Sequence, residues 1–203
     1  MTRGKYVAFE GLEGCGKSTH VARLAERLGA VATREPGGTV LGSALRSAML
    51  DPANTSLSPR AEALLMAADR AQHVAEVVRP ALEAGRHVVS DRSVYSSLAY
   101  QGHGRELGEA AVRRINDWAL DGTWPDLVVL IDVPFEVLAE RMKKRELDRF
   151  EREDRAFFER VHAGFLAMAA AEPARFAIVD GTPPKDALQD AVAATVAARL
   201  GIG

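Results

Sequence analysis

A single cysteine, Cys15, occurs in the 203 residues. No internal disulfide can form, and no cysteine-rich metal site can be built. Long hydrophobic runs are also missing. The strongest, "LVVLI" at 127–131, is far too short to cross a bilayer. The first ten residues, "MTRGKYVAFE", go straight into a strand-like run, too short and interrupted for a signal peptide. Charge of one sign is scarce: 26 Lys and Arg against 28 Asp and Glu leave a net charge of −2. That argues against a protein that coats a polyanion such as nucleic acid. The five histidines form no motif. No repeat, low-complexity tract or linker divides the chain. The expectation is one cytoplasmic domain spanning 1–203, with an ordinary apolar content of 47%.

What is present is alternation. "KYVAFE" (5–10), "AVAT" (30–33), "HVVSD" (87–91), "LVVLIDV" (127–133) and "FAIVD" (176–180) read as buried strands. Several lack a polar/apolar alternation, as a parallel sheet covered on both faces requires. Helical patterns fill the intervals at 17–28, 59–84, 154–172 and 185–200. In the second, Leu64, Leu65, Ala68, Ala71, Val74, Ala75 and Val78 recur at helical spacing; in the third, Phe158, Val161, Phe165 and Met168 do. Pro183 and Pro184 mark the start of the last. Residues 51–59, "DPANTSLSP", are a loop. The fold class predicted is α/β, an open sheet with helices on both faces.

Between the first strand and the first helix lies "GLEGCGKST", residues 11–19. Gly11, Gly16, Lys17 and Ser18 fit G-x-x-x-x-G-K-[ST], the phosphate-binding P-loop, in its proper strand–helix context. Glycines let backbone N–H groups turn toward phosphate oxygens, and the helix N-terminus adds a positive dipole end. Lys17 would reach the β- and γ-phosphates, and Ser18 would ligate Mg²⁺. The loop's residues Gly11, Glu13, Gly14, Cys15, Gly16, Lys17, Ser18 and Thr19 form the expected ATP cradle. Glu13 is the anomaly, an acid in the middle of an anion site. No N-K-x-D guanine signature is present, which argues against a GTPase.

A kinase needs an acceptor site and a basic lid. Four stretches supply them: "TREPGGT" (33–39), "LLMAADRAQ" (64–72), "DRSVYSSLAYQG" (91–102) and "RMKKRELDRFE" (141–151). Three begin at or near strand C-terminal ends, where open α/β sheets bind ligands.

With "FEGLEGCGKST", these stretches closely resemble the thymidylate kinase family over nearly the whole chain. The resemblance implies a P-loop nucleoside monophosphate kinase fold with a five-stranded parallel sheet, phosphorylation of dTMP to dTDP by ATP and Mg²⁺, and a homodimer. It implies that Arg92 grips the acceptor's phosphate, with Arg34 and Arg46 as further phosphate or base ligands. Arg70 would donate to thymine O4, Ser97 and Gln101 would contact the base, and Tyr100 would lie beside the sugar. Pro36 belongs to the same site, and Asp91 joins Ser18 as a candidate metal ligand. Where the family stacks an aromatic ring on thymine, this chain has Met66, which makes the base pocket softer.

The family comes in two patterns, with the cationic residue that stabilises the transferring phosphate either in the P-loop or, as arginines, in a mobile lid. Leu12, Glu13, Gly14 and Cys15 carry no base, whereas 141–152 holds Arg141, Lys143, Lys144, Arg145, Arg149 and Arg152. This is the bacterial-type pattern with a lid at about 141–153. Arg145 is the first candidate for the transition-state contact and Arg149 the second. Glu13 would face the acceptor and accept from its 3′-OH. Two rivals remain: a kinase for dUMP or a deoxynucleoside, and a P-loop switch without phosphotransfer.

Overall fold

The computed structural model describes residues 2–143 and 148–203. Five strands, β1 (Tyr6–Glu10), β2 (Val31–Arg34), β3 (Val88–Asp91), β4 (Leu127–Asp132) and β5 (Phe176–Asp180), form one sheet in the order β2-β3-β1-β4-β5. Every pairing is parallel. All five residues of β1 are buried, which is why this strand shows no alternation: both its faces are covered. The five predicted strands are the five observed, with ends shifted by a residue at most.

The register sets up the site. Phe9 pairs with Asp91, and Arg34 with Asp91. The C-terminal ends of β1, β2 and β3 therefore meet on one edge, and β1 lies where the strand order reverses, the crevice in which such sheets bind ligands.

Helices α1 (Lys17–Leu28), α2 (Val40–Leu50), α3 (Pro59–His73), α4 (Arg79–Glu83), α5 (Val94–Ser97), α6 (Glu109–Leu120), α7 (Phe135–Met142), α8 (Arg155–Ala171) and α9 (Lys185–Leu200) cover the sheet. A π-helical stretch, Val74–Val78, joins α3 to α4, so the helix expected over 59–84 is interrupted. A second, Leu98–Gly104, continues α5. Wide turns of this kind occur mostly at functional sites. Val161, Phe165 and Met168 of α8 enter the main core beside Phe9 and Val129; Phe158 packs at its margin.

Helix α3 overturns its expected face. Leu64 and Ala68 are exposed, whereas Glu62, Asp69, Arg70 and His73 are buried; only beyond α3, at Val74 and Val78, does the expected apolar face turn inward. The helix turns its charged side inward because partners from other elements meet it there: Glu35 pairs with Arg70 and His73, and Arg105 and Arg149 with Glu62. A carboxylate and a guanidinium can be buried together where both are paired and hydrogen-bonded.

Candidate active site

The P-loop is shaped by backbone. Gly11 has φ 136°, and a Cβ there would lie 2.5 Å from the Ile131 carbonyl oxygen. Gly16 has φ 99°, in the left-handed region that favours glycine. Lys17 is buried, and its Nζ donates to the carbonyls of Gly11 (3.0 Å) and Leu12 (2.9 Å). These bonds hold the ammonium against the loop. Ser18 Oγ donates to Asp91 Oδ2 at 2.5 Å, tying α1 to β3. The Cys15 side chain packs in the core, with its Sγ 3.5 Å from Lys17 Nζ.

Two spaces open around this loop. One is a wide cleft lined by the loop and by Arg34, Gly38, Asp91 and Arg141. The other is a smaller cavity lined by Pro36, Met66, Arg70, Ser97, Tyr100 and Gln101. Glu13, Glu35, Arg46, Arg92 and Asp148 line both, so the two spaces share a wall. Of the residues expected at an acceptor, only Arg34 falls in the cleft alone.

Arg92 sits at φ 73°, an uncommon backbone for a residue with a Cβ. The surroundings over-determine it. Its N–H donates to Phe9 O at 2.9 Å, and its carbonyl accepts from Ser90 Oγ at 2.8 Å. Glu10, wholly buried at the end of β1, accepts from the N–H and Oγ of Ser93 and of Ser96, at 2.6–3.1 Å. It thereby anchors the start of α5, which carries Ser97 and leads to Tyr100 and Gln101.

Glu13 is turned to the cavity. Its Oε1 accepts from Arg92 Nη2 at 2.5 Å, and its Oε2 from Tyr100 Oη at 2.6 Å. Burial pushes the Glu13 carboxyl up, but Arg92 and then Lys17 more than reverse this and hold it below its ordinary value. Burial likewise opposes the charge on Arg92, and Tyr100, Glu13, Glu10 and Asp91 more than restore it. Arg46 donates to the Pro36 carbonyl at 3.1 Å. Burial, and after it the nearby Arg34, weakens its hold on its proton, the mark of cations crowded together. Arg46 and Arg92, with Arg34 on the cleft side, thus gather guanidinium groups at the junction of cleft and cavity, beside the carboxylates of Glu13, Glu35 and Asp148.

Deeper in, Arg70 is almost wholly buried. It donates through Nε to Glu35 Oε2 (2.8 Å), through Nη1 to Ser97 Oγ (3.1 Å) and Asn116 Oδ1, and through Nη2 to the Ser93 carbonyl (3.1 Å). Among the described residues, four of its five N–H hydrogens are thus engaged and one is left over. Glu35, which precedes a cis peptide bond to Pro36, shares its other oxygen with His73 Nδ1 at 2.9 Å. Burial pushes the Glu35 carboxyl up, and Arg70 with His73 brings it below its ordinary value.

The lid residues divide. Arg145 lies outside the described residues, as does Lys144. Arg149, expected near the transferring phosphate, is placed elsewhere. Its Nε donates to the Met49 carbonyl (2.7 Å), its Nη2 to Glu62 Oε2 (2.5 Å) and its backbone N–H to the Leu50 carbonyl (3.2 Å). A buried carboxylate outcompetes solvent for a guanidinium, and Arg149 pins the lid's end to α2 and α3. Asp148 and Phe150, its neighbours, wall the cavity instead. Arg141 bridges the carbonyls of Gly14 (3.3 Å) and Gly181 (3.2 Å). Sequence reasoning missed Glu10, Glu35, Glu62, His73 and Asn116. Only Glu10 and Glu35 lay within motifs it had quoted.

A family model described as "Thymidylate kinase" matches residues 9–192. A thymidylate kinase of Cupriavidus pinatubonensis is 46% identical over 195 residues, covering 92% of this chain and 95% of its own. One from Lactobacillus acidophilus is 44% identical over 207 residues, 98% and 96% of the two chains. One from Trichlorobacter lovleyi is 44% identical over 209 residues, 97% and 99%. The P-loop, the arginines at the shared wall and the polar cavity behind it thus belong to a kinase, a member of the thymidylate kinase family.

Proposed function

We propose that this chain transfers the γ-phosphoryl group of ATP to the 5′-phosphate of dTMP in one in-line step, giving ADP and dTDP. The observation that carries the reading is the junction: Arg46 and Arg92 line both the P-loop cleft and the cavity. Two phosphates, one entering from each side, would meet there.

The donor's phosphates lie along the backbone of residues 11–19, with Lys17 toward the β and γ groups. A phosphate oxygen of dTMP is the nucleophile. It is already largely ionised at neutral pH, because the second phosphate pKa is about 6, so no general base is required. The chain's work is positioning and charge neutralisation. Arg92 grips the acceptor phosphate, Glu13 steadies Arg92 and accepts from the 3′-OH, and Tyr100 borders the sugar. Arg70 gives its remaining hydrogen to thymine O4, and Met66 lies against the ring. Arg145, from the lid at about 141–153, meets the charge that develops in transfer. Arg149 has a tethering role.

Mg²⁺ is the expected cofactor. Among the described residues no group of three or more His, Cys, Asp and Glu could hold a metal ion, which suits an ion ligated mainly by substrate phosphates and one or two protein oxygens. Ser18 Oγ and Asp91 Oδ2, 2.5 Å apart at the mouth of the cleft, fit that need. When bound it would neutralise charge on the β- and γ-phosphates.

The protein is proposed to act in the cytoplasm as a homodimer. Leu64 on α3 (58% exposed) and Trp118 on α6 (87%) leave apolar surface for a second copy. Among the described residues no helix is long and apolar enough to cross a membrane.

Coupled ADP release with ATP and Mg²⁺ against dTMP, dUMP, ribo-TMP, dCMP and thymidine tests the reading. The highest kcat/KM is expected with dTMP, and none with thymidine, which cannot engage Arg92. Thymidine as the better acceptor, or no acceptor-dependent ADP at all, would overturn it.

A further inference from the structure

Two side chains at the back of the cavity decide which pyrimidine edge fits, and they differ in kind. Arg70 can only donate. Gln101 can present either its carbonyl or its amide nitrogen, since a carboxamide reads both ways round. Something must settle which end faces the ligand.

Glu62 settles it. This α3 residue has no exposed surface, and its Oε1 accepts from Gln101 Nε2 at 2.8 Å. Arg149 Nη2 lies 2.5 Å and Arg105 Nη2 3.2 Å from Oε2, with Arg105 Nε 3.3 Å from Oε1. A carboxylate paired with two guanidiniums offers only acceptors. The amide must therefore turn its NH₂ to Glu62. Gln101 Oε1 accepts no hydrogen bond from any described residue, and Gln101 lines the cavity. The carbonyl end is left for a ligand.

We infer that Glu62 is a specificity-determining positioning residue: by fixing the amide of Gln101, it makes the cavity show a donor from Arg70 beside an acceptor from Gln101. That pair complements O4 and N3–H of thymine. It opposes cytosine, whose amino group would face the arginine and whose N3 would face the carbonyl oxygen. The inference rests on the acceptor reading above. It adds that the discrimination is set outside the cavity lining, by a carboxylate that touches no substrate.

The test is the ratio of kcat/KM for dTMP to that for dCMP, read within each variant so that general losses cancel. Glu62→Gln lets Gln101 turn either way. The ratio should fall about tenfold or more, as expected when a buried donor can be matched to the wrong edge. KM for dTMP should rise while KM for ATP holds. Adding Glu62→Gln to Gln101→Met should change the ratio no further, because Glu62 acts only through Gln101. A ratio in Glu62→Gln within about twofold of the parent, or losses that multiply in the double variant, would overturn the inference. If Glu62→Gln does not fold, Glu62→Gln with Arg149→Met, which leaves one fewer cation unpaired, is read by the same criterion. Failure of the parent protein to phosphorylate dTMP would instead overturn the acceptor reading, and is scored separately.

Discussion

The two halves of the site are made of different material. The P-loop cleft is built from backbone: glycines at positive φ, N–H groups at the start of α1, and one lysine held by two carbonyls. The acceptor cavity is built from side chains that arrive from the loop after β2, from α2, α3, α5 and the π-helical stretch that continues it, and from the lid, and it is held by buried ion pairs, Arg70 with Glu35 and Arg149 with Glu62. Backbone recognises what all nucleotides share, the phosphates. Side chains recognise what distinguishes one acceptor from another. Damage to the two halves should therefore differ in kind.

Loss of Arg145, the residue proposed to meet the transferring phosphoryl group, should have the largest kinetic effect. Arg145→Ala should lower kcat by about 10³ or more, as for other arginines that meet a transferring phosphoryl group, with dTMP binding nearly unchanged. Single-turnover kinetics with equilibrium dTMP binding would check this. A near-normal kcat would place the transition-state contact elsewhere.

Next comes stability. Arg70→Met takes the guanidinium from buried Glu35 and leaves it only His73 as a partner, which should cost about 3–5 kcal/mol. Ser18→Ala, at an exposed position of the donor loop, should cost about 1 kcal/mol or less. Urea unfolding of the two variants beside the parent measures the contrast. Equal losses would break it.

The smallest effect is in pH. The Glu35 carboxyl, ordinarily near 4.5, is held lower in the folded protein, because Arg70 and His73 outweigh its burial. Its ion pairs thus contribute fully above that ordinary value and drain away as pH falls through the lower folded one. Glu10 and Asp69, raised chiefly by burial, act in the opposite sense. The difference between parent and Glu35→Gln isolates the effect. Glu35→Gln should be less stable at neutral pH, and its deficit should shrink as the pH drops below about 4.5. A deficit constant down to pH 3 would contradict this.

The same contrast explains what could be read from the sequence. The sheet was legible because doubly covered strands are continuous apolar runs, and the P-loop because glycine at fixed spacing is a backbone requirement. Helix α2 escaped because it buries only Gly42 and Met49 and so shows no strong stripe. The segment from Val94 to Gly104 escaped because it is buried on nearly every side, so no amphipathic pattern marks it. On α3 the apolar residues pointed to the wrong face, since the site uses the charged one. Glu62 and Asn116 gave no signal, because a lone acid or amide on a helix looks like solvated surface until its partners are brought together by the fold. The acceptor residues were found through family likeness, not through spacing.

Glu13 tests the comparison most directly, because it sits in the donor loop while its carboxylate bonds to Arg92 and Tyr100 on the acceptor side. The measurement is the pair of KM values for dTMP and ATP in Glu13→Gln. The account predicts that KM for dTMP rises about tenfold or more, as expected for a weakened charge-assisted contact, while KM for ATP changes little. A rise in KM for ATP that exceeds the rise for dTMP would contradict it.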